Sequence, residues 1–170
     1  MNSRCGIITV SNRCARGEQE DRSGALLVER VASCGLDVVR REVLPDDATR
    51  LENLLRELCD KDGLALVVTT GGTGISPTDV TPEATAAVVE KRIAGLEEAL
   101  HRSGEGKIPT TILSRAVAGV RGRTLIVNLP GSPGGAKDGW DVLGRVIHHA
   151  LRLIQGDVKD CRDDLASGDK

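Results

Sequence analysis

Apolar residues fall along this chain in two alternating patterns. Short, mainly apolar runs, Cys5–Val10, Leu64–Val68 and Thr124–Leu129, read as buried strands, and the unbroken Leu64–Val68 as one buried on both faces, the habit of a parallel sheet. Between them apolar positions recur at helical spacing. Leu26, Leu27, Val31 and Cys34 predict a helix from Ser23 to Cys34, closed by Gly35. Asp37–Leu44 reads as a second strand whose Arg40-Arg41-Glu42 interruption leaves its middle less buried, and Pro45 ends it. The strongest stripe is Leu51, Leu54, Leu55, Leu58 and Cys59, with Thr49 or Asp47 as cap and Gly63 as stop.

Beyond Val68 the run passes through a glycine turn into a helix start, with Thr81 as the expected cap, Pro82 at the first helical position and helix over Ala84–Arg92. Leu96 and Leu100 suit a short helix, and Ser103–Gly106 reads as a flexible loop able to close over a ligand. Pro109 begins another predicted helix, with Ile112, Leu113, Ala116 and Val117 on one face, ending near Gly119. A second glycine-rich turn, Pro130–Gly135, follows Leu129. Leu143, Ile147, Ala150, Leu151 and Ile154 predict one long helix ending at Gly156, and 157–170 is a charged tail. Alternating strands and helices imply an α/β fold: three layers, a mostly parallel central sheet and helices on both faces, in a single domain spanning 1–156. Ligands bind such sheets beyond the carboxyl ends of the strands. The loops at Ser11–Gly17, Pro45–Asp47, Thr69–Asp79 and Pro130–Gly135 therefore converge on one edge.

Composition narrows the partner. Among 170 residues there is no Phe, no Tyr and a single Trp, so the core is aliphatic and aromatic platforms for single-stranded bases are missing. A formal net charge of -2 and the absence of a long Lys/Arg block argue against nucleic acid or a membrane surface and favour a small molecule. No apolar signal core precedes Cys5 and the apolar runs are strand-length, so a cytosolic protein is expected. Five cysteines without C-x-x-C spacing argue against a zinc site and a disulfide framework.

The candidate chemistry lies in Thr70-Gly71-Gly72-Thr73-Gly74 and in Asp79 beyond it. Glycines let backbone N–H groups approach a ligand, and the helix start adds partial positive charge, so an anion is the natural guest. A tight strand-to-helix turn without a ligand is the competing reading. The stretch is neither G-x-x-x-x-G-K-[ST] nor G-x-G-x-x-G, so the common nucleotide fingerprints are absent.

Taken with Asp79-Val80-Thr81-Pro82-Glu83-Ala84 and Asn128-Leu129-Pro130-Gly131-Ser132-Pro133, the glycine turn resembles the MoaB/Mog family of molybdenum-cofactor biosynthesis proteins, related to the gephyrin G domain. Ile8–Ser11, Glu20–Gly24, Leu44–Asp46 and Leu113–Arg115 extend the resemblance over residues 5 to 155. It implies a protein that binds molybdopterin and adenylylates it with ATP and Mg²⁺, releasing pyrophosphate; a non-catalytic molybdopterin-binding protein is the alternative. The family's two functional carboxylates fall on Asp46 and Asp79, which the resemblance makes catalytic and Mg²⁺-binding. Thr70, Gly71, Gly72, Thr73, Gly74, Ser114, Pro130, Gly131 and Ser132 match the substrate pocket, and Ser11 and Asn12 the nucleotide side. Carboxylates suit the task, because Mg²⁺ prefers oxygen ligands and offsets repulsion between phosphates. Capping and turn formation are the plainer roles for the same two residues. Arg115 is read either as a phosphate neutraliser or as an exposed helical residue.

A homo-oligomer, trimer or hexamer, and other proteins of the same pathway as partners are also implied by the resemblance. Three positions depart from the family pattern: Asn12 for Asp, Thr78 for Arg and Gly134 for Lys. Each lowers positive charge or removes a carboxylate near the expected phosphates, with Arg13 or Lys137 available to compensate.

Overall fold

Four of the predicted strands pair in parallel. In the computed structural model, which describes residues 2–105 and 107–157, β1 (Arg4–Val10) lies between β2 (Asp37–Leu44) and β3 (Leu66–Thr70), and β6 (Thr124–Leu129) follows β3. Two further strands, β4 (Lys91–Arg92) and β5 (Ala118–Arg121), extend that edge antiparallel, giving the order β2-β1-β3-β6-β5-β4. The helices are α1 (Asn12–Ala15), α2 (Arg22–Ser33), α3 (Ala48–Asp60), α4 (Thr81–Ala86), α5 (Ala94–Glu105), α6 (Pro133–Leu143) and α7 (Ile147–Gln155). The strand period of two sorts the core into two halves. Cys5, Ile7, Leu66, Val68, Leu125 and Val127 pack beneath α2, α5, α6 and α7. Ile8, Val10, Val67 and Ile126 meet Leu51, Leu55 and Leu58 of α3 and Ala84 of α4 on the opposite face. The expected three-layer α/β architecture is what the chain forms.

At the β2 edge, Arg40 pairs with Glu42 and Asp62 at 3.1 and 3.0 Å. Charged side chains there discourage pairing with a further strand, which accounts for the polar middle of β2. Asp47 rather than Thr49 caps α3, accepting from the Arg50 N–H at 3.0 Å. No described helix is long and apolar enough to cross a membrane.

The structure corrects four expectations in the second half. The helix expected over Ala84–Arg92 stops at Ala86, and Lys91–Arg92 becomes β4. Its capping position is Val80, not Thr81, which is the first helical residue and whose hydroxyl donates to the Gly71 carbonyl at 2.9 Å. The expected loop at Ser103–Gly106 is helical through Glu105, with the Ser103 hydroxyl bonded to the Leu100 carbonyl at 2.7 Å; Gly106 lies outside the described residues. Pro109–Leu113 forms only a 3₁₀ turn, and Ala118–Arg121 is strand rather than helix. The single long terminal helix is two, α6 and α7, although Gly156 ends the second in the left-handed conformation as expected. The tail beyond Asp157 lies outside the described residues.

Burial pushes the Cys5 thiol up to about 12, with the Asp37 charge adding to it, and the Cys59 thiol up to about 11. Cys14 and Cys34 are half-exposed. Alkylation of the folded protein at pH 8 therefore modifies Cys14 and Cys34 while Cys5 and Cys59 react only after denaturation, a pattern checked by peptide mass mapping. Rapid labelling of Cys5 in the native state would contradict this.

Candidate active site

Four parallel strands end on one sheet edge, and their loops carry the candidate residues. Gly71 leaves β3 with φ +100° and Gly72 follows at φ +61°. A Cβ on Gly71 would sit 2.3 Å from the Val10 carbonyl oxygen, and one on Gly131 would sit 3.0 Å from Gly71 Cα. The two turns therefore touch backbone to backbone, which only glycine permits. The Gly71 N–H donates to the Leu129 carbonyl at 3.1 Å, and the Thr70 hydroxyl to the Pro130 carbonyl at 2.7 Å. Behind them the buried Asn128 amide donates to the Thr69 and Thr85 hydroxyls, both at 2.9 Å, while its oxygen accepts from the Val117 N–H. The N–H groups of Gly72, Thr73 and Gly74 make no hydrogen bond among the described residues.

Each carboxylate is held by a backbone N–H. Asp46 Oδ2 accepts from the Asn12 N–H at 3.0 Å, and the Asp46 N–H returns a bond to Asn12 Oδ1 at 3.2 Å. Asn12 thus supplies the acceptor that an aspartate would, without its charge. Asp79 Oδ2 accepts from the Ser76 N–H at 2.8 Å and caps no helix. Arg115 is neither a free phosphate ligand nor a helical surface residue. Its guanidinium donates to the Gly74 carbonyl at 2.7 Å, the Asp79 carbonyl at 3.0 Å and the Glu83 carboxylate, clamping the glycine turn to α4. That bond holds the Glu83 carboxyl below the usual carboxylate range. Ser132 caps α6 and Ser11 caps α1, accepting from the Gly135 and Cys14 N–H groups.

Two cavities flank this arrangement. The first, about 430 Å³, is bordered by Thr73, Gly74, Ser114, Pro130 and Ser132, with apolar walls from Leu100, Ile108 and Leu113. The second, about 650 Å³, is bordered by Ser11, Asp46, Thr70, Gly71, Gly72 and Gly131, and its lining is largely polar. Asp79 borders both. Of the residues matched to the carboxylate pair, the substrate pocket and the nucleotide side, all border one cavity or the other except Asn12, which reaches the second cavity through Asp46. Sequence reasoning missed Thr9, Ser23 and His101. The Ser114 hydroxyl and His101 Nε2 are buried without a hydrogen-bond partner beside the first cavity, as is the Thr9 hydroxyl beside the second. Thr9 and Ser23 lay inside the Ile8–Ser11 and Glu20–Gly24 stretches that carry the resemblance; His101 carries no sequence signal.

Residues 6–149 match the family described as "Probable molybdopterin binding domain". The chain belongs to this family. It is 36% identical over 153 residues to the molybdopterin adenylyltransferase of Helicobacter pylori strain J99, covering 89% of this chain and 87% of that one. It is 37% identical over 154 residues to the molybdenum cofactor biosynthesis bifunctional protein of Chlorobaculum tepidum, covering 91% of this chain but only 49% of that longer protein. The solved structure of the molybdopterin biosynthesis enzyme MoaB from Thermus thermophilus superposes with a TM-score of 0.86 at 44% identity, covering 92% of this chain and 98% of the other.

The family's donor set can be tested against a divalent metal. Asp46 and Asp79 each spend one bond on a backbone N–H, and both face the second cavity. Among the described residues no group of three or more His, Cys, Asp and Glu could hold a metal. Two carboxylates completed by water and phosphate oxygens is the ordinary environment of Mg²⁺, so the residues present fit it. Of the compensating cations, Arg13 borders the second cavity while Lys137 is paired with Asp141 at 2.8 Å.

Proposed function

We propose that this protein is a molybdopterin adenylyltransferase of molybdenum cofactor biosynthesis, taking molybdopterin in the first cavity and ATP in the second. The observation that carries the reading is the partition: one glycine turn separates an apolar cavity from a polar one, and Asp79 borders both. A flat heterocycle suits the first and a triphosphate the second. An oxygen of the terminal phosphate of molybdopterin forms a bond to the α-phosphorus of ATP. The bond from that phosphorus to the oxygen bridging the β-phosphate breaks, and its electron pair leaves with pyrophosphate.

Charge repulsion is the obstacle, so the protein contributes position and neutralisation. The unpaired N–H groups of Gly72, Thr73 and Gly74 serve the attacking phosphate, at a turn that Arg115 and Thr81 hold rigid. Asp46 and Asp79 would hold Mg²⁺, which supplies positive charge to the transferring phosphoryl oxygens. Ser114 and Ser132 border the molybdopterin side, and the buried Ser114 hydroxyl gains there the partner it lacks. The catalytic reading is favoured over a purely binding one because Asn12 preserves the reciprocal bonds that orient Asp46. Residence in the cytosol and assembly as a homo-oligomer belong to the same proposal.

The test is turnover of ATP with molybdopterin and Mg²⁺, read as equimolar adenylyl-molybdopterin and pyrophosphate. Binding of molybdopterin without pyrophosphate release would replace this reading with the non-catalytic one.

A further inference from the structure

The first cavity holds two polar side chains that neither the glycine turns nor the carboxylate pair account for, one on α5 and one on α6. His101 Nε2 is buried and has no hydrogen-bond partner. Asp138, whose side chain is 16% exposed, accepts from Lys107 Nζ at 2.7 Å through Oδ1, while its Oδ2 takes no hydrogen bond among the described residues. Both residues border the cavity. The two helices meet there: Leu100, next to His101, has its Cδ2 only 3.6 Å from where a Cβ on Gly139, next to Asp138, would lie. Lys107 is 63% exposed, so it offsets the carboxylate's charge from the solvent side and leaves the second oxygen open. An orphaned ring nitrogen beside a half-used carboxylate is costly to keep in an apolar wall, and points to a guest.

Charge decides which end of the guest lies here. Ser132 caps α6 beside the glycine turn, and Asp138 stands six positions further on, about 9 Å along the helix axis. A phosphate is drawn to the unpaired N–H groups of the turn and repelled by a carboxylate, so the heterocycle is the part that reaches α5 and α6. The pyrimidine edge of a pterin presents, in a row, a carbonyl oxygen, a ring N–H and an exocyclic amino group. Its two neighbouring donors match the two oxygens of a carboxylate, as a guanidinium does. The carbonyl that remains needs a donor, which an imidazole N–H supplies. We propose that Asp138 and His101 read this edge and so select the pterin and fix its orientation. Asp138 accepts from the ring N–H and the amino group, and His101 Nε2 donates to the carbonyl. This rests on the placement of molybdopterin in the first cavity proposed above.

The test compares pterin with lumazine, in which an oxo group replaces the amino group, by titrating each into the full chain and following the fluorescence of the heterocycle. Wild type is expected to bind pterin at least about 10-fold tighter than lumazine. Asp138→Asn should weaken pterin about 10²-fold while lumazine holds or tightens, because the new amide N–H suits the extra oxo group. His101→Leu should weaken both heterocycles about 10-fold, since both carry the carbonyl, and His101→Gln, which restores an N–H, should recover most of the loss. In turnover Asp138→Asn is expected to raise the KM for molybdopterin about 10²-fold with kcat within about twofold. The pair with exposed Lys107 adds little stability, so Asp138→Asn should melt within about 2 °C of wild type. Lys107→Met should hold or tighten pterin; if it instead reproduces the loss in Asp138→Asn, the carboxylate is only an anchor for Lys107 and the assignment is overturned. Equal or absent binding of the two heterocycles by wild type, or an unchanged ratio in Asp138→Asn, overturns it as well. A wild type that prefers pterin in this way but transfers no adenylyl group sinks the transferase reading and leaves the edge assignment standing. Turnover with an unchanged KM in Asp138→Asn sinks the edge assignment alone.

Discussion

Asp79→Asn is expected to lower adenylyl transfer by about 10²- to 10³-fold while leaving the melting temperature within about 2 °C of wild type. The asparagine oxygen can still accept the Ser76 N–H that Asp79 Oδ2 takes at 2.8 Å, so the turn from Ser76 to Asp79 keeps its shape. What is lost is one negative charge at the only residue proposed as ligand that borders both cavities. Two carboxylates are the whole protein share of the proposed Mg²⁺ site, so halving their charge weakens the ion and the phosphoryl oxygens it neutralises. The effect should fall on kcat and on the Mg²⁺ concentration needed, with molybdopterin binding little altered. Wild-type turnover by Asp79→Asn, measured by pyrophosphate release, would remove Asp79 from the chemistry and reduce it to a turn residue.

Gly71→Ala should be among the most damaging single changes to stability, costing about 3 kcal/mol or more and lowering the melting temperature by roughly 6 to 12 °C. Two effects combine. At φ +100° an L side chain is strained, and the added Cβ would stand 2.3 Å from the Val10 carbonyl, an atom fixed by the β1 ladder. The strain cannot relax toward Gly131, whose own would-be Cβ lies 3.0 Å from Gly71 Cα. Gly35→Ala is the control: φ is +75°, yet nothing lies within 4 Å of the added atom. That change should cost only about 1 kcal/mol. Equal melting temperatures for the two variants, by calorimetry, would show that Gly71 does not stand as close to the Val10 carbonyl as described.

The parts of the fold legible in advance are those whose signal is local. Leu64–Val68 is apolar at every position, and Thr124–Leu129 at all but Thr124 and Asn128, because both sheet faces are covered, and no helix of that length would need such a run. Leu51 to Cys59 repeats at helical period because one face of α3 packs on Val10, Val67 and Ile126. The region from Lys91 to Arg121 misled for the opposite reason. Ile112, Leu113, Ala116 and Val117 share a helical face on paper, yet the Arg115 N–H donates to the Thr73 carbonyl at 2.8 Å and pulls that segment extended. Lys91 and Arg92 have nothing strand-like in their side chains. They become β4 because Gly119 lets β5 approach: a Cβ there would stand 2.7 Å from the Lys91 carbonyl.

The candidate site divides the same way. The alternation of strands and helices and the two glycine turns could be read from residue order, since each is written in neighbouring residue types that restrict the backbone, whereas the pair Asp46 and Asp79 is singled out by the family resemblance. What those residues face could not be read in either way. Asn12 meets Asp46 across 34 positions and Arg115 meets Gly74 across 41. The unpaired hydroxyl of Thr9 and the amino end of α2 come together only because β1 and α2 pack against each other. Those pairings depend on strand order and on the depth of each loop, quantities that long-range packing sets and that no short stretch of chain encodes.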